Sequence, residues 1–241
     1  YLYNGYYYIT RFEKGQDYPI YSRKKESLSA KEEILFNCNE MAKNKPYFQL
    51  GALSISPDNK LALFSYDIVG RRIYTIQIKN LETNEILEDK IENVTGSAVW
   101  ANDNKTLFYS DQDDVTLRSH KIFKHKLGAK QSDDVLVYFE EDETFNVEIA
   151  KSKSQKYLAI ESDSTLTSEY QILDADNPDG EFKIFQKRVR GMEYSISHYG
   201  DSFYIMTNKD KAENFKLMKT SVNKTSKANW VEVIAHRKDV L

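Results

Sequence analysis

The side chains that could act as nucleophiles or acid–base catalysts are few and scattered in this sequence. The serine nucleophile of an α/β-hydrolase sits in a sharp turn, usually Gly-x-Ser-x-Gly, and the 241 residues contain no such motif. The catalytic histidine of such an enzyme must lie close to that serine. The four histidines are His120, His125, His198 and His236. We interpret them as strand or turn residues and predict no catalytic residue in this chain.

The histidines and the single cysteine also lack a metal-binding pattern. His120 and His125 are five residues apart, so on a β-strand their side chains point to opposite faces and would not share a metal ion. The single cysteine, Cys38, excludes an internal disulfide framework and a cysteine-clustered zinc site. We interpret it as an inert thiol. We predict no metal and no cofactor.

Two acidic clusters could take part in acid–base chemistry or attract cations. Their members are Asp111, Asp113 and Asp114, followed by Glu140, Glu141, Asp142 and Glu143. Neither cluster has the spacing of oxygen ligands, closed by a bidentate carboxylate, that a calcium loop requires. One interpretation is a pair of solvated loops between strands. The other is a negative rim that attracts basic peptides.

The charge balance argues against a nucleic-acid or membrane binder. The chain has 34 basic and 37 acidic residues, which gives a net charge of −3. Its basic segments, 23–25 and 187–190, are short and are outweighed by acidic residues, so we predict no nucleic-acid partner. No run of 18 apolar residues occurs, so we predict no membrane-spanning helix and no membrane partner.

The composition favours strands as the elements that position these side chains. Valine, isoleucine, threonine, phenylalanine, tyrosine and tryptophan, which suit a pleated surface, total 73 residues. Alternation of period two is clear in 74–79 and 157–161, and several strands are apolar on both faces. Such strands must lie between two layers. The segment from Thr83 to Asn93 fits either a short helix capped by Thr83 or a strand that starts at Ile86.

A polar turn between two strands recurs along the chain. It contains Lys60, Lys105, Lys156 and Asp201 at intervals of 45, 51 and 45 residues, and each interval holds about four short strands. This period is typical of β-propeller blades, small sheets that bury their faces against their neighbours. The Asp-Asn and Gly-Asp pairs in these turns suit positive φ angles.

The sequence therefore predicts an all-β fold, a β-propeller fragment of about five four-stranded blades. We place the blades at residues 4–37, 50–88, 97–139, 145–185 and 194–234. No linker rich in proline, glycine and serine divides them, so we predict a single domain over 1–241. The chain starts at Tyr1 rather than methionine and stops just after a charged turn. We expect both ends to be cuts within a larger protein.

An ordered series of short stretches resembles the start of the propeller in the prolyl oligopeptidase family of serine peptidases. The resemblance is to its oligopeptidase B branch, also called protease II, and covers nearly the whole chain. No single stretch is diagnostic. The stretches include Tyr6-Tyr7-Tyr8, 15–21, 33–35, Ser56-Pro57-Asp58-Asn59, Gly70-Arg71-Arg72, 80–83, 99–103, 115–117, 125–128, 167–169, 173–175, 193–195 and Asn214-Phe215.

The resemblance implies a seven-bladed propeller that covers the active site of an α/β-hydrolase domain and admits only short peptides. It also implies cleavage after lysine and arginine by a Ser–Asp–His triad in that hydrolase domain. We expect the α/β-hydrolase catalytic domain to be absent from these 241 residues, which would be non-catalytic alone. The implied partners are the hydrolase domain and short basic peptides. Arg188 and Arg190 are candidates for salt bridges to the hydrolase domain.

The alternative function is a stand-alone β-propeller that acts as a protein-interaction module. If the ring is incomplete, the first and last blades each lack a neighbour, and exposed apolar residues there favour self-association. The single cysteine and the absence of a signal-peptide pattern favour a cytoplasmic location.

Overall fold

The computed structural model describes residues 1–239, so the last two residues of the predicted domain lie outside the described part. The chain forms two compact units, 1–96 and 97–241. Its regular structure is almost entirely antiparallel β-sheet, which confirms the all-β prediction. The assignment of 1–241 to one domain stays a prediction.

The first unit contains two sheets and a short helix. The strands of the first sheet are β1 (Leu2–Tyr3), β2 (Tyr6–Arg11), β3 (Ile20–Lys25) and β4 (Glu32–Asn37), followed by helix α1 (Cys38–Ala42). The next strands are β5 (Gln49–Ile55), β6 (Leu61–Asp67), β7 (Tyr74–Asn80) and β8 (Ile86–Trp100), which are the first four strands of a seven-stranded sheet. Within each sheet, every strand pairs with the next along the chain, which is the pattern of propeller blades.

The second unit repeats this arrangement. After the end of β8 come β9 (Thr106–Gln112), β10 (Ser119–Lys126) and β11 (Val135–Phe139). A four-stranded sheet follows with β12 (Asn146–Lys151), β13 (Tyr157–Asp163), β14 (Ser168–Asp174) and β15 (Lys183–Gln186). The last sheet contains β16 (Tyr194–Tyr199), β17 (Ser202–Thr207), β18 (Lys216–Ser221) and β19 (Val231–Ile234). Short 3₁₀ turns occur at Gln131–Asp133 and Lys227–Asn229.

The ambiguous segment after Thr83 is a strand, so the helical alternative was wrong. Strand β8 begins at Ile86 and pairs with β7, with Ile91 opposite Ile76 and Val94 opposite Tyr74. Ile91 and Val94 are buried in this pairing. The sheet overrides a weak helical pattern because cross-strand packing of apolar side chains outweighs local propensity.

The recurring polar turns adopt the backbone geometry that their residues indicated. Asn59, Asn104, Gln155 and Gly200 occupy equivalent turns with φ angles of 64°, 59°, 64° and 60°. Asparagine and glycine tolerate this left-handed region. In the first turn the carboxylate of Asp58 also accepts hydrogen bonds from the Ser56 hydroxyl and the Lys60 amide.

Each unit has its own hydrophobic core. In the first unit the buried cluster contains Tyr8, Leu35, Phe36, Ala62 and Phe64. In the second unit one cluster contains Ala101, Phe108, Ile122, Val147, Ile149, Leu158, Ile160, Leu173 and Ala175. The other contains Tyr170, Phe185, Met192, Tyr194, Phe203, Ile205, Met218 and Trp230. These clusters join residues of successive sheets, as the doubly apolar strands predicted.

One side of the last sheet, β16–β19, is apolar and exposed. Met206, Leu217 and Ile234 are adjacent across three strands. Met206 and Ile234 are more than half exposed, as is Val231. Contiguous apolar surface of this kind is a common site of protein association. Among residues 1–239, no helix is long and apolar enough to cross a membrane.

Candidate functional site

The charged loops singled out in the sequence lie at one end of the sheets of the second unit. Antiparallel strands alternate in direction, so the loops that follow β9, β11, β13, β15 and β17 all open at the same end. These loops are 113–118, 140–145, 164–167, 187–193 and 208–215. Both acidic clusters and the basic segment 187–190 are therefore brought to one end of this unit.

The loops are joined there by a group of polar side chains, which we call the Glu140 cluster. Its members are Tyr138, Glu140, Ser162, Glu169 and Arg188. Glu140 Oε2 accepts hydrogen bonds from the Tyr138 hydroxyl at 2.7 Å, the Ser162 hydroxyl at 2.5 Å and Arg188 Nη2 at 2.8 Å. Arg188 Nη2 also donates to Glu169 Oε1 at 3.1 Å, and the Arg188 amide donates to Glu169 Oε2 at 2.8 Å.

The ion pair and the hydrogen bonds of the cluster keep the Glu140 carboxylate ionised. Burial acts to raise the pKa of Glu140, but the hydrogen bonds from Arg188, Ser162 and Tyr138 outweigh burial and bring that pKa to about 2. Burial acts to lower the pKa of Arg188, but the hydrogen bonds to Glu140 and Glu169 outweigh burial and raise that pKa. Burial, together with the bond to Glu140, raises the pKa of Tyr138 to about 12. Glu140 therefore has no proton to donate near neutral pH, and the cluster is a structural ion pair rather than an acid–base centre.

A second arginine holds the backbone of the Glu140 loop. Arg118 Nη1 donates to the carbonyl oxygens of Asp142 and Phe145 at 3.2 and 2.9 Å, and its Nη2 donates to that of Glu140 at 3.3 Å. The guanidinium of Arg188 lies 4.0 Å from the ring centroid of Phe145, in cation–π geometry. Two arginines from different loops thus fix loop 140–145.

The interpretation of the acidic clusters as solvated loops requires a correction at Glu140. Its side chain is 5% exposed and lies in the ion pair, whereas Glu141, Asp142 and Glu143 are exposed. In the other cluster, Asp113 accepts turn hydrogen bonds from Val115 and Thr116. The burial of Glu140 follows from its position at the end of β11, where Arg188 neutralises it.

Arg188 and Arg190, the two candidates for salt bridges to the hydrolase domain, have different surroundings. Arg188 Nη1 and Nη2 both donate to Glu140, and Nη2 also donates to Glu169. All three bonds lie within the second unit. The guanidinium of Arg188 is therefore engaged within the second unit, and a salt bridge from Arg188 to the hydrolase domain stays a prediction. Arg190 is exposed and forms no ion pair with any described residue.

His125 lies in a buried polar group that the sequence did not reveal. Its Nδ1 is 2.6 Å from Asp134 Oδ1, and the Tyr109 hydroxyl donates to Asp134 Oδ2 at 2.9 Å. The His125 and Asp134 side chains are 0% and 1% exposed. Burial, followed by the nearby Asp134 carboxylate, raises the pKa of Tyr109. His120, on the same strand, instead packs edge-on against Phe139.

His198 lies on strand β16, next to its last residue. Its Nδ1 is 2.8 Å from Ser154 Oγ, and its ring packs against Tyr157 and Phe203. Burial lowers the pKa of His198, which favours the neutral ring. Among residues 1–239, no carboxylate lies within ion-pair distance of this histidine. The Ser154–His198 pair therefore lacks the carboxylate that orients the histidine base of a catalytic triad.

The remaining candidate residues, Cys38 and His236, are not arranged for catalysis. Cys38 is buried at the start of α1, and burial raises its thiol pKa to about 11, so little reactive thiolate exists at neutral pH. His236 follows the last strand and is partly exposed. Within residues 1–239, no three histidine, cysteine or acidic side chains are grouped so that they could hold a metal ion.

A second carboxylate group, centred on Glu161, was not apparent in the sequence. Glu148 lies directly opposite Glu161 across β12 and β13, and the Tyr170 hydroxyl donates to Glu161 Oε1. Burial, together with the neighbouring carboxylate of Asp163, raises the pKa of Glu161 to about 7 from an ordinary value of 4.5. A pairing of two glutamates across strands would be visible in a sequence only once the strand register were known.

We expect Glu161 to make the protein less stable at high pH. The native state holds this proton more tightly than the unfolded chain, so the stabilising contribution is complete below pH 4.5 and is lost as the pH rises through about 7. Glu161→Gln should therefore raise the free energy of unfolding by about 1–2 kcal/mol at pH 8 and change it little at pH 4.5. Urea unfolding at both pH values measures this difference.

The matched control for Glu161 is Glu181→Gln, because Glu181 is exposed and lies before β15. Its replacement should leave the pH dependence of urea unfolding unchanged. Equal effects of Glu161→Gln at the two pH values would contradict the raised pKa.

Comparison with known proteins places these features in a family context. The family described as "Prolyl oligopeptidase, N-terminal beta-propeller domain" matches residues 1–241. The chain is 38% identical to dipeptidyl aminopeptidase BI of Pseudoxanthomonas mexicana, over 98% of this chain and 35% of that protein. It is 33% identical to protease 2 of Moraxella lacunata, over 94% and 34%.

A solved structure gives the same result. Oligopeptidase B from Leishmania major superposes with a TM-score of 0.90 at 31% identity, covering all of this chain and 34% of that one. The chain thus spans about a third of the length of the relatives that it matches. This similarity confirms the β-propeller prediction.

Proposed function

The chain belongs to the prolyl oligopeptidase family, as an N-terminal β-propeller domain, and on that premise we propose that the full-length protein is a serine peptidase that cleaves short peptides after lysine and arginine. In this proposal the propeller covers the active site of an α/β-hydrolase domain and excludes large substrates. The observation that carries it is the similarity to oligopeptidase B over the whole chain.

The charge at the loop end of the second unit supports a preference for basic peptides. Asp114, Glu141, Asp142 and Glu143 are exposed at that end. The Glu140 cluster and the hydrogen bonds from Arg118 hold loop 140–145, which carries three of these carboxylates. Fixed negative charge at an opening raises the local concentration of cationic substrates.

A second activity is favoured by a specific observation. The 38% identity to a dipeptidyl aminopeptidase makes release of dipeptides from a free amino terminus the alternative to internal cleavage. The two activities make opposite demands on the substrate. A dipeptidyl aminopeptidase requires a free amino group, whereas an endopeptidase accepts a blocked one.

The test is an assay of the full-length protein on three fluorogenic amides. These are an N-blocked arginyl amide, an N-blocked prolyl amide and an unblocked dipeptidyl amide. We expect the N-blocked arginyl amide to be cleaved at least tenfold faster, by kcat/KM, than the other two. Preference for the unblocked amide would establish the alternative, and failure on all three would overturn both.

Size selection is tested separately from specificity. A ten-residue peptide and an unfolded protein that contain the same arginyl site should differ in cleavage by at least a hundredfold if the propeller restricts entry. Equal rates on both substrates would contradict the gating role while leaving the peptidase assignment intact.

A further inference from the structure

A cavity of about 490 Å³ opens in the first unit, in the range typical of small-molecule sites. Strands β4, β6 and β7 and the segment after β4 line it. Four of its lining residues, Leu35, Phe36, Phe48 and Phe64, are buried. Ile68 and Ile86 also line it and are about 40–50% exposed, so apolar side chains reach the solvent beside the polar lining residues Asn37, Gln77 and Asn84.

A row of aromatic rings forms one wall of this cavity. Phe36 and Phe64 have ring centroids 4.6 Å apart, Phe64 and Tyr66 6.0 Å, and Tyr66 and Phe48 6.5 Å. Tyr66 is stacked on both of its neighbours. The row offers a continuous surface on which a flat or extended hydrocarbon could lie.

An ammonium group stands at each end of this row. Lys79 Nζ lies 5.2 Å from the ring centroid of Phe36 and donates to the carbonyl oxygen of Leu35 at 2.8 Å. Lys45 Nζ lies 5.7 Å from the ring centroid of Phe48 and donates to the carbonyl oxygen of Met41. Within residues 1–239, neither ammonium has a carboxylate at ion-pair distance.

The charge of these lysines is not neutralised within the cavity. Among the lining residues that the structure describes, Glu40 is the one carboxylate, and it pairs with Lys43 at 2.5 Å. Lys79 is partly removed from water, and this burial lowers its pKa. A partly desolvated ammonium beside an apolar wall gains more from an anionic partner than an exposed ammonium does.

We propose that this cavity binds a small apolar carboxylate, held by its carboxylate group at Lys79 and by its hydrocarbon body along the aromatic row. A neutral hydrocarbon would leave the ammonium without a counter-ion. A cationic ligand would be repelled by both lysines. The proposal does not rest on the proposed peptidase activity, because the observations behind it all come from residues of the first unit.

The test is calorimetric titration of the full-length protein with 4-phenylbutyrate. We expect one ligand per chain, and at least tenfold weaker binding of the neutral analogue 4-phenylbutyramide. Lys79→Met, which keeps the length of the side chain, should weaken binding of the acid at least tenfold. Lys79→Arg, which keeps the charge, should stay within about threefold of the parent.

A second variant guards against a folding defect in Lys79→Met. Ile86→Asp places a carboxylate at a 46% exposed position directly opposite Lys79 on the neighbouring strand, where it would neutralise the ammonium and weaken binding of the acid but not of the amide. Equal binding of acid and amide, or undiminished binding by Lys79→Met, would overturn the proposal. No binding by the parent protein would also overturn the proposal. Another segment of the protein or a second copy would then be the candidate occupant of the cavity.

Discussion

Replacing Arg188 with methionine is expected to lower the free energy of unfolding by about 3 kcal/mol. The change leaves Glu140, which is 5% exposed, and Glu169, which is 9% exposed, without their shared cation. An unpaired buried carboxylate typically costs about 3–5 kcal/mol. We take the low end because the Arg188 side chain is 30% exposed and its charge is partly solvated. Urea unfolding at pH 7 measures the change.

The matched control is Arg190→Met, two residues away on the same loop. Arg190 is exposed and without an ion pair among the described residues, so its replacement should change stability by less than about 0.5 kcal/mol. The double variant Glu140→Gln/Arg188→Met should be more stable than Arg188→Met alone, because it removes one of the stranded charges. A loss below about 1 kcal/mol for Arg188→Met would show that the Glu140 cluster does not hold these loops.

Replacing Asp134 with alanine is expected to cost about 3–4 kcal/mol of stability. Asp134 accepts from the Tyr109 hydroxyl and contacts His125 Nδ1 in a site closed to water. The change removes a polar partner from two groups at once and opens a small cavity. Buried polar groups that lose a partner each cost about 1–3 kcal/mol. Thermal or urea unfolding reports the loss.

The neighbouring Asp133→Ala provides the control for Asp134. Asp133 is exposed in the turn before β11, and its carboxylate accepts from the Ser132 hydroxyl. Its loss should cost less than about 0.5 kcal/mol. Similar losses for the two variants would mean that the buried Asp134 group adds nothing beyond its turn.

The repeat and the strands could be predicted because their signals are local. Strand alternation needs only side chains two residues apart, and the polar turns need only residues such as Asn59 and Asn104 that accept a positive φ. The segment after Thr83 was ambiguous because Ile86, Leu87 and Ile91 fit a loose helical stripe as well as a strand. Pairing with β7, which is not local, decided it.

The polar groups of the candidate site could not be predicted in this way. Glu140 and Arg188 are 48 residues apart, and Glu140 and Ser162 are 22 apart. Their contact depends on which loops share an end of the sheets, and on strand register to within one residue. The sequence marked both charges as members of clusters, but a charge run alone does not say which member is buried.

Because one side of β16–β19 is apolar and exposed, the stability of the chain can depend on protein concentration. If the ring is incomplete, as we expect of these 241 residues, and a second copy covers Met206, Leu217 and Ile234, then association favours the native state by mass action. The unfolding midpoint would rise with each tenfold increase in concentration, and Met206→Lys would abolish the rise. The same chain would then have different midpoints in a dilute fluorescence cell and in a concentrated calorimeter cell.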